Sequence, residues 1–187
     1  TEFNYPRLAL YDPRLLDSCP KDVYASAGMD AMTHTLESFA AKNATCLSKN
    51  FSSQAFKLLF KNLKKITNDD QSREVKLDLL MGAGCAGVAL MNAGAGPSGA
   101  LSYPLGVHFN VPHGLAGSVF LPAVIKYNVD NGYDLYSELY DLVYDNKLLS
   151  GKEKSMRFAE EIKILSKELG IPDDLKGFGV KTDKDLD

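Results

Sequence analysis

The sequence predicts an all-α fold. Three observations carry this. Apolar residues recur three and four positions apart through most of the 187 residues. No internal repeat or low-complexity linker interrupts that pattern. Only Arg7–Tyr11, near the start, has a strand-like run. With 45% of its residues hydrophobic, the chain can bury a real core as one domain spanning 1–187.

Taken in order, Asp12-Pro13 predicts a turn, and Cys19-Pro20 puts proline where a first helical turn tolerates it. Lys21–Ala27 predicts a short helix ended by Gly28. Met29–Ala41 predicts another, with Met29, Met32, Leu36, Phe39 and Ala40 at helical spacing. The next helix follows Asn50 and carries Phe51, Ala55, Leu58, Leu59, Leu63 and Ile66 on one stripe; Lys57, Lys61, Lys64 and Lys65 form its solvated face. Asn68-Asp69-Asp70 predicts the start of a helix running through Leu77, Leu80 and Met81 into the Gly- and Ala-rich Gly82–Leu90. Each glycine weakens a helix by roughly 1 kcal/mol relative to alanine, so small residues there imply close helix–helix or helix–ligand contact. Pro104, Pro112 and Gly114 predict a loop, and His113–Ile125 a buried helix interrupted by Pro122. Tyr133–Tyr144 and Glu153–Leu169 are amphipathic and carry the usual charges.

The formal net charge of −3 and pI near 5.6 exclude a basic nucleic-acid footprint and a polybasic membrane patch. The charges are unevenly placed: none lies between Asp78 and Lys126, and two of the three histidines fall in that gap. A membrane span is excluded there, because Gly82, Gly84, Gly87, Gly94, Gly96, Gly99, Pro97 and Pro104 break it up and Asn92, Ser98, Ser102 and Asn110 add polar groups. The stretch is expected to lie inside a soluble fold. Cys19, Cys46 and Cys85 are odd in number and share no metal-like spacing, which fits a reducing cytoplasm rather than a disulfide framework. Thr1–Arg14 holds Glu2, Arg7 and Asp12 and no apolar signal core. A start without Met and a polar end at Lys181–Asp187 lead us to expect a piece of a longer protein.

Two groups of residues could carry chemistry. Asp30, His34 and Glu37 stand at i, i+4 and i+7, so all three leave one face of one helix. A carboxylate and an imidazole at this spacing can grip a divalent cation, with Glu37 orienting His34 from behind; the same spacing also suits a helix with a satisfied polar face. His113 follows Val111-Pro112 at a predicted helix start, with His108 five residues earlier. With no charged residue near it in sequence, a metal is its natural partner. Asp30, His34 and His113 would give the three protein ligands of an open zinc site, or hold iron. Gly82–Gly87 and Gly94–Gly99 both match G-x-G-x-x-G, but a helical pattern precedes the first, and no acidic residue between 79 and 125 could meet a ribose. Both are expected to be packing devices.

Gly28-Met29-Asp30-Ala31-Met32-Thr33-His34-Thr35-Leu36-Glu37, preceded by Asp12-Pro13 and Pro20, resembles the opening of the helical domain of iron-containing (group III) alcohol dehydrogenases. Tyr103-Pro104-Leu105-Gly106, Pro112-His113-Gly114-Leu115-Ala116, Leu121-Pro122-Ala123-Val124 and Tyr127-Asn128 resemble that family's second signature, in the right order and separation. The resemblance covers about residues 5–175. It implies an all-α, metal-binding C-terminal domain of the dehydroquinate synthase-like type, preceded in the family by a Rossmann-like NAD(P) domain that is absent from these residues, and we expect the family's last helices to be missing from them too.

Carried over by position, Asp30 and His34 match the first two metal ligands and His113 the last. Gly99 and Tyr103 stand where the family has a further ligand histidine and a histidine near the nicotinamide. Three arrangements are compatible: a three-ligand site closer to zinc, His108 swinging in as a replacement, or an empty site. The implied reaction is NAD(P)-linked interconversion of an alcohol and a carbonyl compound, with a zinc or iron ion, a small-molecule substrate, and Tyr103 or His108 contacting substrate or relaying a proton. Pro97–Tyr103 adds the expectation of a polyhydroxylated or sugar-acid substrate. A homo-oligomer is compatible with this. The alternatives are a non-catalytic helical module whose metal site has decayed and, last, a zinc hydrolase using Glu37 as base.

Overall fold

The computed structural model describes residues 6–180, all helix, turn or irregular chain, with no strand among them. The helices are α1 (Lys21–Ala40), α2 (Cys46–Thr67), α3 (Arg73–Ala93), α4 (Pro97–Phe109), α5 (His113–Ser118), α6 (Leu121–Asp130), α7 (Tyr136–Tyr140) and α8 (Gly151–Glu168), with 3₁₀ turns at Pro13–Leu16 and Lys176–Phe178. The expected strand at Arg7–Tyr11 does not form. Leu8 and Leu10 are exposed, and a lone extended segment has no neighbour to pair with. Lys181–Asp187 lies outside the described residues.

α1 is one helix, not two. Gly28 sits inside it because α2 comes so close that a Cβ there would collide with the Leu63 side chain. The same closeness buries Met29, Met32, Leu36 and Phe39 against Phe56, Leu59, Leu63 and Ile66, in a core completed by Phe158, Ile162 and Leu165 of α8. Full burial of such side chains contributes about 1.5–3 kcal/mol each, so tertiary packing overrides the glycine's weak helix propensity.

α2 starts at Cys46, ahead of the expected Phe51. Thr45 accepts from the Ser48 backbone N–H, and the Ser48 hydroxyl accepts from the N–H of Thr45, a reciprocal cap. α3 starts after Ser72, not at Asn68-Asp69-Asp70. Asn68 closes α2, and Asp69 takes a left-handed φ of 70° in the turn. Within α3, a Cβ on Gly82 would stand 2.9 Å from Leu59 Cγ, so one small residue of the Gly/Ala stretch lets α2 and α3 approach, as expected. Gly87 has open space around it and plays no such part.

Pro104 does not break the chain into a loop. It lies within α4, where it and Ala100 are both exposed, so solvent can hydrate the carbonyl it leaves unpaired. The loop is only Asn110–Pro112, with Asn110 left-handed at φ 53°. The expected helix His113–Ile125 divides into α5 and α6, and Pro122 sits in the first turn of α6, the position proline favours. The segment 133–144 forms only the short helix α7, flanked by turns.

α5 packs on α1 and α4, while α6 and α7 pack on α8. A smaller cluster of Leu105, Val111, Ala116, Val119 and Val180 supports the α4–α5 corner. No single helix among the described residues is long and apolar enough to cross a membrane, and the apolar pair α3–α4 is bent by 105°.

Candidate metal centre

Asp30 and His34 leave α1 one turn apart, and α5 brings His113 to the same spot from 79 or more residues along the chain. His34 Nε2 and His113 Nε2 each lie 3.9 Å from Asp30 Oδ1, and one ligand atom from each of the three lies within 4.8 Å of the others. These separations are too long for hydrogen bonds. Donors set tetrahedrally around a metal at about 2.1 Å stand about 3.4 Å apart, so the two 3.9 Å separations would have to shorten by about half an ångström, and the remaining one, within 4.8 Å, by no more than about 1.4 Å, to close the set. The side chains of Asp30 and His34 are about a quarter exposed, and that of His113 is 59% exposed. Two imidazoles and one carboxylate with open positions are a donor set that suits iron(II). The cluster therefore fits a divalent cation in both spacing and chemistry.

What brings His113 so close is its neighbour. A Cβ on Gly114 would stand 2.7 Å from the Ser26 carbonyl oxygen and 3.3 Å from Asp30 Cβ. Only a bare Cα lets the first turn of α5 rest on the α1 backbone.

Tyr103, on α4, stands beside the cluster: its ring centroid is 6.1 Å from that of His113, with the planes tilted by 51°, and the residue is 67% exposed. His108, further along α4, is exposed and places no ligand atom in the group of three. The expectation that it swings in as a ligand finds no support in this arrangement.

Glu37 departs from its expected part. It does not orient His34. Its Oε2 accepts from the N–H groups of Gly96 (2.9 Å) and Gly99 (3.2 Å), and its Oε1 accepts from that of Ser98 (2.5 Å). A buried carboxylate needs such donors, and the free N–H groups at the start of α4 supply them along with the positive end of the helix dipole. The second glycine motif thus holds an anion at a helix start as such motifs can, but the anion is the chain's own carboxylate from 59 or more residues away. Only the fold, not the local spacing, brings the two together.

These features define a helical domain with a partly exposed two-histidine, one-carboxylate cluster between two helices. Residues 24–186 match the family described as "Fe-containing alcohol dehydrogenase family, C-terminal", and the chain belongs to that family. It is 33% identical over 174 residues to long-chain-alcohol dehydrogenase 1 of Geobacillus thermodenitrificans (strain NG80-2), covering 92% of this chain and 44% of that protein. It is 29% identical over 177 residues to the NAD-dependent methanol dehydrogenase of Bacillus methanolicus, covering 94% of this chain and 46% of that one. The crystal structure of a 1,3-propanediol oxidoreductase superposes with a TM-score of 0.86 at 30% identity, over 91% of this chain and 45% of that one. The chain spans less than half the length of these relatives.

Proposed function

We propose that this chain is the metal-binding half of an NAD(P)-linked alcohol dehydrogenase that interconverts an alcohol and a carbonyl compound. The observation that carries the proposal is the convergence of Asp30, His34 and His113 within 4.8 Å on a fold whose relatives are named as alcohol dehydrogenases. These three residues would hold the metal, and the family's description favours iron. A bound divalent ion supplies a Lewis acid that polarises the carbonyl oxygen or lowers the pKa of the alcohol.

The chain's own groups do the rest. Asp30 brings the negative charge that a divalent ion requires, and α1 fixes its angle to His34. Gly114 sets the depth at which His113 reaches both. Tyr103, exposed beside His113, is placed to hold substrate by its hydroxyl and to pass a proton between substrate and solvent; His108 stands outside the group and is the weaker candidate. A polyhydroxylated substrate such as a sugar acid would meet Tyr103 as a hydrogen-bonding wall, but Gly99 opens no room for it, because the place of its missing Cβ lies 3.3 Å from Glu37 Oε2. A nicotinamide, which the family's Rossmann-like domain rather than these residues would hold, would supply the hydride chemistry.

The test is metal analysis of the purified chain beside Asp30→Ala and His113→Ala. Near-stoichiometric iron, lost in both variants, is the expected result, together with no NAD(P)-dependent turnover by the 187 residues alone. A folded wild-type chain that takes up neither iron nor zinc refutes the proposal. It would favour instead a helical module with a decayed site, the reading that Gly99 and Tyr103, in the places of two family histidines, would then support.

A further inference from the structure

Among the described residues Glu37 is the only buried carboxylate. Burying a charge costs several kcal/mol unless it is compensated, and Glu37 has no ion-pair partner within reach. Its compensation is entirely three backbone N–H groups and the start of one helix. Two of the donors are glycines, and the carboxylate explains why: a Cβ on Gly96 would stand 2.8 Å from Glu37 Cδ, and one on Gly99 would stand 3.3 Å from Oε2. The same helix, one turn beyond Gly99, presents Tyr103 to His113. α1 therefore carries the metal cluster at Asp30 and His34, and one turn beyond His34 it carries the carboxylate that fixes the height of α4 against it. Gly117 of α5 packs at the same junction, its Cβ position 3.8 Å from Ser102 Cβ and 3.9 Å from Thr33 Cγ2.

We infer that Glu37 is a positioning residue for the site: by clamping the first turn of α4 it sets where Tyr103 stands over the Asp30–His34–His113 cluster. The inference builds on the proposed function, since Tyr103 matters only if the cluster is used.

The test labels the chain with 3-fluorotyrosine and assigns the Tyr103 line with Tyr103→Phe. In metal-free Glu37→Gln, the ¹⁹F line of Tyr103 is expected to move away from its wild-type position while the other tyrosine lines hold, except that of Tyr136, whose hydroxyl the Glu37 charge also reaches. The amide protons of Gly96, Ser98 and Gly99 are expected to exchange roughly 10- to 100-fold faster as the charge-assisted bonds weaken. Loading cobalt(II) should then change the paramagnetic shift of the same line relative to wild type. A Glu37 that served stability alone would lower the melting temperature and leave the Tyr103 line in place; that result, in a folded variant, overturns the inference. Should Glu37→Gln not fold, Glu37→Asp (charge kept, arm shortened) and Gly99→Ala (the same contact pressed from the other side) decide it by the same readouts. If wild type takes up no cobalt(II), the metal reading has failed, while the metal-free line of Tyr103 still judges the clamp.

Discussion

Gly114→Ala separates the stability of the fold from the geometry of the site. The added methyl would meet the Ser26 carbonyl oxygen at 2.7 Å, the Ser26 carbonyl carbon at 3.1 Å and Asp30 Cβ at 3.3 Å, all on α1. Ordinary carbon contacts begin near 3.5 Å, and two of the three atoms are backbone, so α5 must lift from α1 by roughly 0.5–1 Å. Overpacking of this size costs about 1–3 kcal/mol, and alanine's better helix propensity returns about 1 kcal/mol. The net loss of about 0–2 kcal/mol lowers the melting temperature by no more than about 8 °C in a chain of this size. The site is less forgiving. His113 rides on the same turn, and its 3.9 Å separation from Asp30 would widen by an amount comparable to the roughly 0.5 Å tolerance of a ligand set. Weakening one of three ligands should raise the metal dissociation constant by about 10–100-fold, comparable to the loss of an outer-shell partner. The assay is competition of the chain against a chromophoric chelator for cobalt(II) or iron(II), with apo-protein melting recorded in parallel. Gly87→Ala is the control: nothing lies within 4 Å of its Cβ, so affinity should hold while stability rises by about 0.5–1 kcal/mol. A folded Gly114→Ala that binds metal as tightly as wild type would refute the idea that this glycine sets the reach of His113.

Two further outcomes follow from the packing. Gly28→Ala presses on the fully buried Leu63 side chain, so it should destabilise by about 1–2 kcal/mol in thermal melts with metal affinity unchanged; a stabilised variant would show that Leu63 repacks freely. Burial pushes the Tyr136 hydroxyl up to about 12, with Asn128 opposing and Glu37 adding to the rise, and burial raises Tyr133 and Tyr144 as well. An unfolded tyrosine releases its proton near pH 10, so the stability is fully present below that pH and is lost as pH rises through 10 toward 12. The slope is about 1.4 kcal/mol per pH unit for the deeply buried Tyr136, and solvent screening makes the part of Tyr133 and Tyr144 smaller. Helical circular dichroism should therefore collapse in that window, and Tyr136→Phe should shallow the slope; an unchanged slope would count against it.

The local pattern of the sequence was enough for some elements and not for others, and the division is physical. Asp30 and His34 were legible because one turn of helix puts them side by side whatever the rest of the fold does. The family signatures then singled out His113, although no spacing rule could bring it within 3.9 Å of Asp30. The errors cluster at glycine and proline. Gly28 was expected to end a helix and instead marks where α2 crosses α1. Pro104 was expected to open a loop and instead sits on the exposed side of α4. In each case a local propensity worth about 1–3 kcal/mol met a packing or solvation context that no window of neighbours contains. Glu37 shows the same limit at the site. Its spacing from His34 pointed to a metal, but its partners lie 59 to 62 residues away, and a buried carboxylate goes to whichever donors the fold brings to it. The charge-free stretch between Asp78 and Lys126 follows from this arrangement. α4 and α5 rest against α1 by bare glycines at 96, 99, 114 and 117, and a lysine or arginine introduced beside them could compete with α4's N–H groups for Glu37, or with the metal for Asp30. The missing charges are the condition under which one helix face can hold a buried carboxylate one turn beyond an open metal cluster.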